Sequence, residues 1–119
     1  ANFDIYFDHT LDLVNKITPE ECFALTRWED TDDGLHFVPR GDSQDCWIFR
    51  GAPPNIDCHF TMGRIGCDNV MAYLISKVMK ITNPSKSIRA IHLHKIGVRN
   101  NMYSDCVSGP KLTLANETI

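Results

Sequence analysis

The sequence predicts an α+β fold: a small mixed β-sheet of about five strands, one main amphipathic helix near 68–80 and a shorter helix near 9–16. Three observations carry that reading. The first half of the chain alternates aromatic and β-branched runs with turns rich in Gly, Pro and Asp, which is how short strands are punctuated. One later stretch places Met71, Leu74, Ile75 and Val78 at i, i+3, i+4 and i+7, an apolar helical stripe. The 119 residues can enclose one core but not two, so residues 1–119 form a single domain.

The elements follow in order. Residues 3–7 are aromatic and β-branched and make the first strand, with Asp4 within it and Asp8 at its end. His9 and Thr10 open the short helix, and Thr18-Pro19 closes it. Residues 22–28 form the next strand; their loose alternation suits a strand covered on both faces. Asp33-Gly34 is a hairpin signal leading to a return strand at 35–38, which Pro39 stops. Residues 45–50 form an apolar strand, and Pro53-Pro54 a surface turn. Asp68 occupies an N-cap position ahead of the main helix. Asn83-Pro84-Ser85 ends the helical region, and residues 88–94 alternate as a last strand with Ile88, Ala90, His92 and His94 on one face. The tail beyond Gly109-Pro110 is expected to be weakly ordered unless it docks.

Composition excludes several function classes. A net charge of −3 gives no general nucleic-acid footprint. No apolar run approaches the ~20 residues of a membrane span, and no signal peptide is visible. Five scattered cysteines without a C-x-x-C pair argue against a disulfide framework and a structural zinc site. Reduced thiols in a cytoplasmic protein are the expectation.

Three constellations bear chemistry. Asp4 and Asp8 lie four residues apart near one strand end; spacing alone favours a solvent-facing or turn-capping pair over the grip on a divalent cation that two carboxylates also allow. His92 and His94 share a strand face and reach one metal or phosphate together, although half-buried, satisfied histidines fit the spacing better. Asp68, at a helix start, is explained by capping, and becomes an effective general base only if desolvated. Cys67 beside it has no histidine close in sequence to complete a Cys-His pair.

Six segments in order resemble a pattern found in glycosyltransferase-like proteins of the A-type, nucleotide-sugar-binding fold. They are Asn2-Phe3-Asp4-Ile5, Ala24-Leu25-Thr26-Arg27-Trp28, Ser43-Gln44-Asp45-Cys46-Trp47-Ile48-Phe49, Gly66-Cys67-Asp68-Asn69, Asn83-Pro84-Ser85 and His92-Leu93-His94. The resemblance covers residues 1–95 and leaves 96–119 as a C-terminal extension. It implies that Asp4 faces metal and diphosphate, that His94 or His92 returns to that metal or phosphate, that Asp45 borders the sugar pocket, and that Asp68 is the acceptor-side base. It implies Mn²⁺ or Mg²⁺ as cofactor if the family site is retained, and a nucleotide sugar as ligand only where a complete site is assembled.

In that family the nucleotide-binding units precede the Asn-x-Asp strand, whereas this sequence starts there. The expectation is a partial domain, lacking the donor-binding half and inactive as a single chain. Surfaces that the parent fold buries would then need cover, which points to a homo-oligomer, a dimer in the first instance. The rival expectation is a non-enzymatic, self-assembling interaction module on the same scaffold.

Overall fold

The run 22–28, expected as one strand, is two. β2 (Glu21–Leu25) and β3 (Arg27–Thr31) belong to different sheets, and the chain crosses between them at Thr26. This computed structural model describes residues 1–58, 60, 65–93 and 107–119. Its α+β class agrees with the sequence, but the described residues form seven strands in two sheets rather than about five in one.

The four-stranded sheet has the order β1-β7-β3-β4, with β1 at Ile5–Phe7, β7 at Ala90–Leu93 and β4 at Gly34–Phe37. β7 runs antiparallel to β1 and parallel to β3. The hairpin expected at Asp33-Gly34 joins β3 to β4, and Gly34 adopts a φ of 110°, which a side chain would strain. The three-stranded sheet has the order β5-β2-β6, with β5 at Cys46–Phe49 and β6 at Lys80–Thr82. Cys22 to Leu25 are all buried, as a strand covered on both faces requires.

The two faces of β2 divide the core. Phe23 and Leu25 pack with Ile17, Cys46, Ile88 and Ala90, backed by Ile5, Phe7 and the flank of a 3₁₀ helix, His9–Lys16. Asp8 caps that helix by accepting from the Thr10 amide. Ala24 faces the opposite way, onto Ala72 of α1 (Cys67–Ser76) and Leu114 of the C-terminal segment. The tail therefore docks: Leu112, Leu114 and Glu117 donate backbone hydrogen bonds to Asn69, Gly41 and Asn83.

Helix α1 corrects two expectations. It ends at Ser76, not near 80, because the Lys80 amide pairs with Glu20 and residues 80–82 become the edge strand β6 beside β2. Val78 consequently lies outside the helix and is exposed, while Val70, Ala72 and Ile75 are its buried apolar positions. The cap is also different. Gly66, with a φ of 81°, is the N-cap, no side chain caps the helix, and Asp68 lies one residue inside it.

Asn83 holds the crossing. Its Oδ1 accepts from the buried Thr26 amide at 3.1 Å, and its Nδ2 donates to Thr26 Oγ1 at 2.9 Å. The Thr26 hydroxyl in turn lies within hydrogen-bond distance of the Arg40 and Ser43 carbonyls. Trp28 follows the same route, its Nε1 donating to the Ser85 carbonyl at 2.7 Å. Removing the Asn83 amide leaves a buried N–H without an acceptor. Asn83→Ala should therefore lower stability by about 2–3 kcal/mol, read as a reduced urea midpoint; a midpoint within error of the parent would remove Asn83 from this role.

Candidate functional site

A line of alternating charge runs across the four-stranded sheet and reaches the other one. It is built by register. His92 on β7 lies opposite Glu29 on β3 and Ile5 on β1, just past Asp4. Asp4 Oδ2 is 2.9 Å from His92 Nε2, and Glu29 Oε2 is 3.0 Å from His92 Nδ1. Arg27 and Glu29 are two apart on β3 and so share a face, with Arg27 Nη1 3.4 Å from Glu29 Oε1. Arg27 Nε then reaches Asp45 Oδ2 at 3.0 Å, immediately ahead of β5. Asn2 completes the group, donating from Nδ2 to Asp45 Oδ1 at 3.0 Å.

Asp45 is only 6% exposed, and Asn2 and Arg27 supply its side-chain hydrogen bonds. Beside it stands Asp68. The Asp68 carboxylate points away from its own helix and accepts from the Gln44 amide at 3.0 Å. Burial raises the Asp68 pKa above the ordinary 3.8; the Gln44 amide acts against that rise, and the neighbouring Asp45 adds to it. The desolvation needed for a useful base is thus present at Asp68. A cavity of about 100 Å³ opens beside Asp45, lined chiefly by Arg27, Glu29, Arg40, Ser43 and Asp45. It is smaller than the ~300–1,000 Å³ typical of ligand pockets.

Asp8 does not join this cluster. It pairs with Arg89 at 2.6 Å and caps the 3₁₀ helix. Burial opposes its ionisation, but the Thr10 hydroxyl and amide and the Arg89 guanidinium together hold its pKa below 3.8. The capping reading of the pair thus applies to Asp8, whereas Asp4 turns toward His92.

His92 has a carboxylate on each ring nitrogen. Both ring nitrogens are thereby engaged with carboxylates. Among the described residues no group of three or more His, Cys, Asp or Glu side chains is arranged to hold a metal ion. As they stand, Asp4 and His92 do not make a divalent-cation site. His94 lies outside the described residues.

No protein-family model, curated protein or solved structure matches this chain. The site is therefore read from its own geometry. Asn2, Arg27, Glu29 and Gln44 emerge as members that single-motif reading passed over. The available signals were the Arg27-x-Glu29 spacing on a strand and the polar Ser43-Gln44-Asp45 run ahead of an apolar one.

One thiol touches the site: Cys67 Sγ donates to Asp68 Oδ1 at 3.6 Å, which acts against the rise in the Asp68 pKa. Burial pushes the Cys22 thiol up to about 12, and Cys22, Cys46 and Cys58 are free. No helix among the described residues is long and apolar enough to cross a membrane.

The two aspartates give opposite pH signatures. Asp68 has a raised folded pKa, so its contribution to stability is complete below 3.8 and is lost as pH rises through the folded value. Asp8 has a lowered folded pKa, so its contribution is present above 3.8 and is lost as pH falls through the folded value. Denaturation of Asp68→Asn across pH should show a gain in stability at pH 7 that disappears below 3.8. Asp8→Asn should show a loss at pH 7 that shrinks on acidification; the reverse sign in either profile would overturn the corresponding assignment.

Proposed function

We propose that this chain is a glycosyltransferase-like domain whose described residues supply the acceptor side of a sugar-transfer site. The observation that supports this reading is connectivity. All six segments of the resemblance meet through hydrogen bonds: Asn2 with Asp45, Arg27 with Asp45, Gln44 with Asp68, Thr26 with Asn83, Trp28 with Ser85, and Asp4 with His92. Segments scattered over 90 residues of sequence thus converge on one locality rather than serving separate parts of the fold.

In this reading Asp68 is the general base. Its carboxylate takes the proton of an acceptor hydroxyl as that oxygen forms a bond to the anomeric carbon of a donor sugar, and the bond from that carbon to a nucleoside diphosphate breaks. The Gln44 amide orients Asp68. Asp45, immobilised by Asn2 and Arg27, accepts from a second hydroxyl and fixes the acceptor. Arg27 and Glu29 tie that carboxylate to His92 and Asp4, where the resemblance puts the phosphate-facing side. The proposal covers the acceptor side; a nucleotide-sugar site requires further surface, from another domain or another chain.

The test is NMR titration of the ¹⁵N-labelled chain with a panel of monosaccharides. Saturable shifts are expected at Gln44, Asp45 and Asp68, weakened about tenfold or more in Asp45→Ala, in line with loss of a charge-assisted hydrogen bond. A folded chain in which no sugar moves those signals would sink this reading.

A second reading, the self-assembling interaction module, is favoured by one observation. Phe3 is fully exposed just ahead of β1, whose outer edge has no strand beside it among the described residues, and Tyr6 and Leu93 are exposed on β1 and its neighbour β7. Light scattering should report a homodimer that Phe3→Asp dissociates. A chain that remains monomeric at 100 μM, on the order of a weak contact's Kd, would remove it.

A further inference from the structure

The C-terminal segment bonds to both sides of one contact. Asp68 on α1 and Gln44 in the 41–45 loop come from elements far apart in sequence, and they meet through the Gln44 amide. Two residues of the tail span the same gap. Leu112 donates its amide to the Asn69 carbonyl at 3.0 Å and lies 3.4 Å from Asn69 Nδ2, one residue beyond Asp68. Leu114 donates to the Gly41 carbonyl at 2.8 Å, and Gln44 Nε2 donates to that same carbonyl at 3.0 Å. A hydrogen-bonded strap thus lies parallel to the Asp68–Gln44 bond and ties its two ends together.

The strap is anchored beyond this point as well. Leu114 is buried against Ala24 and Ala72. Asn116 Oδ1 accepts from Ser85 Oγ at 2.9 Å and Asn83 Nδ2 at 3.3 Å. Ile119 donates its amide to Ser87 Oγ. Gly41 leaves no spare room: a Cβ there would lie 2.6 Å from the Leu114 carbonyl oxygen.

The closed arrangement also carries a cost. Gln44 is 3% exposed, and its Oε1 is buried without a hydrogen-bond partner.

We propose that residues 107–119 form a clamp that positions Asp68 against the Gln44 amide, with Gly41, Asn69, Leu112 and Leu114 as its positioning residues. None of the four touches the reacting groups. They set the distance between the helix that carries Asp68 and the loop that carries Gln44 and Asp45. The inference deepens the reading of Asp68 as an acceptor-side base, but its test uses no sugar. A failed sugar titration with an intact clamp would sink that reading alone.

The experiment is amide hydrogen exchange and pH titration by NMR on the full chain. In the parent, the Gln44, Leu112 and Leu114 amides should exchange at one common rate, faster than those of Ala24 and Ile91. The Gln44 amide shift should follow the titration of the Asp68 carboxyl, which Asp45, Cys67, Arg27 and Arg40 also face. In Gly41→Ala, exchange at Gln44 should rise about tenfold or more, the loss of one hydrogen bond's protection. Its shift should cease to follow Asp68, while Ala24 and Ile91 stay protected.

Asn116→Ala removes the side-chain anchor of the strap to Asn83 and Ser85 and should give the same pattern more weakly, which covers the case of a Gly41 variant that does not fold. Exchange at Gln44 together with the core amides, while Leu112 and Leu114 open earlier, would overturn the clamp. So would a Gln44 amide unchanged in a variant whose Leu114 amide has been freed.

Discussion

The fold depends on how the chain leaves one sheet for another at Thr26. A strand that changes sheets loses its ladder partner at the crossing, and a buried amide left there costs about 1–3 kcal/mol. Asn83 supplies the missing acceptor and simultaneously holds the Thr26 hydroxyl, which lies against the carbonyls of the 40–43 loop. One primary amide thus fixes the end of β2, the start of β3 and the base of the loop that carries Asp45. Were that join loose, Arg27 would have no fixed bearing on Asp45, and the charge line would end at Glu29.

The charge line is what such a join makes possible. Residues on β1, β3 and β7 meet because the sheet register puts Glu29 beside His92 and Ile5 across from it. Arg27 then reaches the other sheet because it is the first residue after the crossing. Ion pairs that are partly desolvated contribute little net stability when complete, yet are costly when one partner is removed. Each member is thereby committed to its neighbours, and the line links Asp4 to Asp45 across the two sheets.

Local chemistry in the sequence was legible where the decisive partner was local. Asp33-Gly34 specifies its hairpin through the backbone freedom of Gly34. His9–Lys16 forms its helix behind the adjacent Asp8 cap, although with 3₁₀ geometry. Legibility ended where the partner was remote. The division of 22–28 rests on Asn83, 57 residues away. Strand β6 is three residues long and exists because β2 offers it a parallel partner, so Lys80–Thr82 carries no pattern of its own. The N-cap expected at Asp68 failed for a nearer reason. The positive φ of Gly66 starts the helix sooner, which releases the Asp68 carboxylate from its own backbone and frees it to meet Gln44. For the candidate site, Asp4, Asp45, Asp68 and His92 were visible as residue types, but the sheet register and the crossing that bring them together were not.

The cluster divides by what its members do for stability. Asp4, His92, Glu29 and Arg27 are linked by hydrogen bonds or ion pairs, and their contacts join strands that the fold needs joined. Asp68 is different. Burial and the nearby Asp45 carboxylate both disfavour its charge, and the Gln44 amide, the Cys67 thiol and the Arg27 guanidinium together compensate only in part. Gln44 beside it keeps a buried acceptor unmet. An asparagine at 68 would satisfy the same amide without the charge, so architecture alone gives no reason for an acid there. A carboxylate kept where it destabilises, against a loop held by a separate strap, has the form expected of a group retained for its protonation chemistry. In the proposal, Asp68 and Gln44 are the working end of the site and the charge line is the scaffold behind it.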